Sequence, residues 1–288
     1  MTMRSLAYLG AVVALSVTLP LVGCAGLTPE AKAMSLVRQG KESEAIATLR
    51  EATTRNPNDI GSRRLLVRVL AQTGDMGAAR AEIAELEKRL PAGDPTPYLE
   101  LGHAYELTHA YDEALAAYDE AAKVAPTSPA GPREGGMRAA RWGEAEEARP
   151  RLEEAKRRGA DDAEMLHALG LVRLQTGDPR GAIAAYRLSA ERAPASIEGW
   201  MGMATAALRM DDARAALVAY EQILARRPAF ASAALGRAWC LLLLARYDEA
   251  ERALAHAEEL GAPKAYVAKQ REELSRRRTA SPPAREMR

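Results

Sequence analysis

The chain has 288 residues, a net charge of +1 from 40 basic and 39 acidic side chains, 5% aromatic residues and one Phe. Its length allows one or two domains, its few aromatics argue against a β-protein, and its near neutrality leaves no global field to hold nucleic acid. Two cysteines, Cys24 and Cys240, exclude a disulfide framework and leave no zinc-ligand spacing.

Residues 1–23 read as a secretion signal. Arg4 opens it, an uncharged apolar run extends from Leu6 to Leu19, and Leu21-Val22-Gly23-Cys24 follows. An uncleaved membrane helix is the alternative, since about 18 apolar residues can span a bilayer. The last four residues resemble the lipobox of bacterial lipoproteins. That resemblance implies cleavage before Cys24, a diacylglycerol on its sulfur, and a lipidated anchor at residues 24–25. The covalent lipid is the one attached group expected, with no cofactor and no metal. Ala25 follows the cysteine where inner-membrane retention would place aspartate, so the expected address is the outer membrane, facing the periplasm.

Beyond the anchor, self-similarity dominates. Alanine recurs at 45, 79, 114, 148, 182, 216 and 250, and Pro57, Pro91, Pro126, Pro194 and Pro228 follow twelve residues behind five of these. Within each unit two amphipathic stretches flank a short turn such as Gly40-Lys41-Glu42, Gly74-Asp75-Met76 or Gly177-Asp178-Pro179. The proline closes the unit because it cannot continue a helix. The pattern predicts helical hairpins at 26–59, 60–94, 95–128, 129–162, 163–196, 197–230 and 231–264. Alanine fills about a fifth of the chain, and Gly102, Gly136, Gly170 and Ala204 are expected to meet Ala114, Ala148, Ala182 and Ala216 in close helix contact.

These units resemble tetratricopeptide repeats. The third carries the fullest match, with Tyr98, Leu101-Gly102, Tyr105, Tyr111-Asp112-Glu113-Ala114, Tyr118, Ala121 and Pro126, and the sixth has Trp200, Tyr220 and Pro228. The resemblance implies an all-α, right-handed α-solenoid of about seven hairpins. Residues 265–275 read as a polar capping helix and 276–288 as a disordered basic tail; residues 264–288 hold eight Lys/Arg against three Glu. In the fourth repeat, Gly135, Gly136 and Pro150 predict a weak, kinked unit, either a hinge between repeats 1–3 and 5–7 or a tolerated irregularity.

Catalytic chemistry is not expected. The chain has no phosphate-binding glycine loop, nucleophile elbow, HExxH pair or EF-hand loop. His103 and His109 lie six residues apart, about 240° around a helix, and cannot share a metal. Asp161-Asp162, Asp211-Asp212 and Asp248-Glu249 sit where carboxylates favour a helix start. Cys240 reads as a buried small hydrophobe.

Function must then come from a binding surface. In tetratricopeptide repeats the first helices line a concave groove, and the resemblance carries its contact positions to Met34, Arg64, Arg68, Leu99, His103, Arg133, Met137, Arg141, His167, Leu171, Leu174, Met201, Leu208, Arg209, Leu235, Trp239 and Leu242. The alternative is that several of these pack neighbouring helices together. An apolar, Met-containing groove dotted with Arg suits a peptide or helix segment of a protein partner with some acidic character. A carboxylate clamp is excluded, because Asn56 and Asn58 lie in an inter-repeat turn. The expected role is a non-enzymatic, envelope-anchored adaptor or assembly factor, similar in architecture to the pilotin-type factors of type IV or Tad pili that guide a secretin. A self-associating scaffold, or an organiser of outer-membrane protein assembly or of cell-wall enzymes, is the alternative.

Overall fold

Hairpin repetition governs the computed structural model, which describes residues 27–280. The expected signal peptide, the Cys24 anchor and residues 281–288 lie outside the described residues. Among the described residues the first helices are α1 (Pro29–Arg38), α3 (Ile60–Gln72), α5 (Thr96–Leu107), α7 (Ala130–Trp142), α9 (Ala163–Gln175), α11 (Glu198–Arg209) and α13 (Ala231–Leu243). Their partners are α2 (Glu42–Arg55), α4 (Met76–Arg89), α6 (Tyr111–Val124), α8 (Ala145–Arg157), α10 (Pro179–Arg192), α12 (Ala213–Arg226) and α14 (Tyr247–Glu259). A last helix, α15 (Lys264–Ala280), closes the array, and no strand occurs among the described residues.

Each hairpin turns on one left-handed residue. Gly40, Gly74, His109, Gly143, Gly177, Asp211 and Ala245 have φ between 56° and 89°, and each stands five positions before an alanine of the periodic series. The N–H of the following residue returns to a carbonyl of the last helical turn, as from Lys41 to Leu36 at 3.0 Å and from Arg246 to Leu241 at 2.9 Å. This satisfies helix-end carbonyls that would otherwise lack a donor. Asp75, Asp178 and Asp212 then cap the second helices by accepting from Ala78, Gly181 and Ala215 at 2.8 to 2.9 Å. Asp162 caps α9 in the same way.

Where the helices approach closely, Gly102 and Gly170 face tyrosine rings one turn on from Ala114 and Ala182, which are themselves fully buried. A Cβ on Gly102 would lie 2.5 Å from the Tyr118 ring, and one on Gly170 would lie 2.7 Å from Tyr186. Both tyrosines are fully or almost fully buried. Between repeats the contact is to backbone: a Cβ on Gly131 would meet the Ala122 nitrogen at 2.6 Å, so α7 starts directly on the backbone of α6. In the fourth repeat, Gly136 lies under Leu152 and Gly135 under Tyr118 and Arg151. These glycines therefore serve packing, and α8 runs as one helix across the exposed Pro150.

First helices touch one another directly, α1 with α3, α3 with α5, α7 with α9, α9 with α11 and α13 with α15. Second helices make no comparable contact with one another among the described residues. The first-helix layer is therefore the inner side of the curve. At the far end the cap is longer than the expected 265–275. Residues 276–280 continue α15 instead of opening a disordered tail, because Arg277 pairs with Glu273 at 2.6 Å and Arg278 reaches Asp248 on α14. Val267 and Leu274, seven residues apart, are its buried face.

Candidate functional site

The inner face divides into two chemically different halves. In repeats 2 to 4 it is a ladder of ion pairs built around Glu100, whose side chain is 0% exposed. Arg64 donates its Nε to Glu100 Oε1 at 2.8 Å, and Arg68 grips both oxygens, Nε to Oε2 at 2.7 Å and Nη2 to Oε1 at 2.8 Å. One turn further along α5, His103 stands 3.8 Å from both Glu100 Oε2 and Glu134 Oε2. Glu134 in turn meets Arg133 at 3.0 Å and Arg138 at 3.3 Å. Arg138 continues to Glu106 at 2.8 Å, and Glu106 accepts a hydrogen bond from the Tyr118 hydroxyl. Arg133 forks onto Asp162 with 2.9 and 3.0 Å bonds.

Burial by itself would raise the Glu100 pKa, but the donors from His103, Arg68 and Arg64 outweigh it and hold the carboxyl at about 2. His103 is likewise pushed down by burial and pulled up more strongly by Glu100 and Glu134, so it titrates above its ordinary value. Charge in this half is therefore internally matched. The Arg64 and Arg68 side chains remain 45% and 43% exposed, so each pairs with Glu100 from the solvent side.

In repeats 5 to 7 the same face turns apolar. Leu171 is 40% exposed, and Met201, Leu208, Leu235 and Trp239 are partly buried against the clusters beneath them. His167 leans on Tyr186 with ring centroids 5.3 Å apart, and burial lowers its pKa. At the end of the array a cavity of about 510 Å³ opens between α13 and α15, with Trp239 and Tyr266 on its walls.

Models of the tetratricopeptide repeat match residues 36–95, 95–128, 134–197 and 201–265. The chain is a tetratricopeptide-repeat protein. Solved structures agree on the fold. The C-terminal part of a TPR repeat-containing protein from Cytophaga hutchinsonii is 15% identical, with a TM-score of 0.61 over 84% of this chain and 98% of that one. YrrB, described as a TPR protein with an unusual peptide-binding site, is 16% identical, with a TM-score of 0.57 over 66% of this chain and 97% of that one. MamA is 20% identical, with a TM-score of 0.53 over 60% of this chain and 94% of that one. No curated protein matches.

The contact positions of tetratricopeptide repeats fall unevenly on this protein. Arg64, Arg68, His103 and Arg133 come together in the ion-pair ladder, and Leu171, Met201, Leu208, Leu235 and Trp239 in the apolar half. Leu99 packs half-buried against the core of repeats 3 to 5. Arg141 is exposed, Arg209 donates to the Leu174 carbonyl at 3.3 Å, and Met34 is 51% exposed at the first repeat. Met137, Leu174 and Leu242 must be removed from the groove. Their exposures are 8%, 6% and 1%, and each belongs to a buried cluster. The helix face that carries them tilts into the neighbouring hairpin, so position along the repeat does not set depth.

Glu100, Glu106, Glu134 and Arg138 escaped the sequence reading. A signal for two of them was present: the repeat position of Glu100 and Glu134 holds Ala31, Leu65, Ala168, Gly202 and Gly236 in the other units. A carboxylate at a position otherwise small or apolar marks a built ion pair. Cys240 is fully buried and burial pushes its thiol up to about 12, which keeps it protonated. Among the described residues no group of His, Cys, Asp and Glu could hold a metal ion, and no helix is long and apolar enough to cross a membrane.

Proposed function

We propose that this chain is a non-catalytic adaptor that holds a segment of a protein partner along the inner face of its solenoid. The observation that carries the reading is the division of that face. A partner segment with apolar anchors is accepted by Leu171, Met201, Leu208, Leu235 and Trp239, and its acidic groups face Arg64 and Arg68. Trp239 is the strongest single anchor, because a partly exposed aromatic beside an open cavity gains most from a ligand.

The lipobox-like Leu21-Val22-Gly23-Cys24 supports anchoring to the cell envelope through lipid on Cys24, at the outer membrane facing the periplasm. One acyl chain binds membranes only weakly, whereas several hold a protein permanently. Pilotin-type guidance of a secretin is the form of this role that matches the architecture, size and anchor.

Two measurements test the reading. A photo-crosslinker at Leu171 or Leu208 in native membranes should capture one partner, and the same crosslinker at Glu120 on α6 should not. Trp239→Ala should reduce capture at least tenfold, since truncating such an anchor costs about 2 kcal/mol or more, while leaving the helical content intact. Capture through Glu120 alone refutes the inner-face assignment, and mass that grows with concentration points to a scaffold. For the anchor, Cys24→Ser should abolish labelling by a palmitate analogue; an unaltered chain that takes up no label removes the lipid.

A further inference from the structure

Outside the inner face, a cleft of about 640 Å³ opens between the second helices of repeats 3 and 4. Tyr111, at the start of α6, and Trp142, at the end of α7, form its aromatic wall with centroids 4.4 Å apart and planes tilted by 36°. Tyr111 is 42% exposed although it begins a helix with an apolar face available. Four carboxylates line the rest, and one cation stands among them. Arg151 is consumed by two of the four, gripping Asp119 at 2.7 and 2.9 Å and Glu147 at 2.8 Å. Asp112 and Glu144 remain, both exposed and with no side-chain hydrogen bond or ion pair among the described residues.

The repeat supplies its own comparison. Three repeats further on, the equivalent cleft between α12 and α14 has about 480 Å³. There Arg214 replaces Asp112, Arg246 replaces Glu144 and Leu244 replaces Trp142. The fold therefore makes the cleft, and the side chains alone make one acidic and aromatic and the other basic and aliphatic. The hairpins of repeats 6 and 7 pack with no aromatic pair at these positions.

We infer that the cleft of repeats 3 and 4 is a second protein-docking site, for a basic segment whose arginine enters between the Trp142–Tyr111 wall and the Asp112 and Glu144 carboxylates. A guanidinium is planar and weakly hydrated, so it stacks on an aromatic face while its N–H edges fork onto carboxylates. The charge complementarity is direct: the lining carries four carboxylates against one arginine, and two of the carboxylates, Asp112 and Glu144, have no partner among the described residues. The site is separate from the inner face, so a two-sided adaptor could hold two partners at once.

The test uses the full chain labelled with 15N-tryptophan. Its three indoles, Trp142, Trp200 and Trp239, give three N–H signals, assigned by Trp142→Phe. The probe is acetyl-Gly-Arg-Gly-Arg-Gly-amide, with the same peptide carrying neutral citrulline as its control. The arginine peptide should move the Trp142 signal saturably, and Asp112→Asn combined with Glu144→Gln should weaken its midpoint about tenfold. Arg246→Ala, in the equivalent basic cleft, should leave that midpoint unchanged. A Trp142 signal that stays still at millimolar peptide, or moves equally with citrulline, overturns the assignment. So does an unaltered midpoint in the double variant, or a shift at Trp239 in place of Trp142. A Trp142 shift on raising the concentration of the chain alone, with no further response to peptide, would assign the cleft to a second copy and overturn a foreign basic segment.

Discussion

Replacing Glu100 by Gln removes the charge at the centre of the ion-pair ladder and keeps the side chain's size. The folded protein lowers this carboxyl from an ordinary 4.5 to about 2. At about 1.4 kcal/mol per pKa unit, that depression corresponds to about 3 kcal/mol of stability at neutral pH. Glu100 itself is fully buried, so solvent screening does not reduce the figure, but Arg64 and Arg68 are nearly half exposed and recover hydration once the charge is gone. The expected loss for Glu100→Gln is therefore about 2 kcal/mol. It should appear in urea unfolding and, more locally, as faster amide exchange in α3 and α5, because a repeat array opens in segments. The pH dependence gives the sharper check. A depressed carboxyl contributes fully above its unfolded value near 4.5 and loses that contribution as pH falls toward about 2. The stability gap between the two proteins should therefore widen slightly as pH falls from 7 to 5, because only the parent protein has the Glu100 charge that raises the His103 pKa, and then shrink between 4.5 and 2. A gap under about 0.5 kcal/mol at pH 7, or one that does not change on acidification, refutes the reasoning.

Three further outcomes follow from the packing. Met137→Ala should destabilise the chain by about 2 to 5 kcal/mol in thermal or urea unfolding, as a cavity in the core does, and should leave partner affinity per folded molecule unchanged. Ala245→Gly should stabilise it by about 0.5 to 1 kcal/mol, because the left-handed alanine costs more than the chain entropy that glycine adds; a lower midpoint in urea would contradict this. Pro150 lacks the N–H that would close one turn of α8, so amides of α8 around it should exchange faster than those of α6 and α10 if the fourth repeat is a hinge. Uniform protection over 129–162 and its neighbours would remove the hinge.

Tetratricopeptide architecture was legible in this sequence because it rests on local periodicity. One alanine series and one proline series, both about 34 residues apart, set where each hairpin begins and ends. The left-handed residue five places before each alanine was only partly visible: Gly40, Gly74, Gly143 and Gly177 announce it, whereas His109, Asp211 and Ala245 do not. In those three the pull of the paired helices overrides the local preference for glycine.

Depth and partnership were decided by tertiary structure. His103, Met137, Leu171 and Trp239 share one repeat position, yet they become an ion-pair bridge, a buried core residue, an exposed leucine and a cavity wall. The difference comes from the neighbouring hairpin. Arg68 meets Glu100 from 32 residues away and Arg151 meets Asp119 from the same distance. Glycines at 131, 135 and 136 bring α7 against Tyr118, Ala122, Arg151 and Leu152 of the adjacent helices. A period tells which face of a helix a residue occupies, since that depends only on residues a few positions away. How far that face is covered, and by which charge, depends on the volume and sign of side chains one repeat distant, and those are assembled only when the hairpins stack.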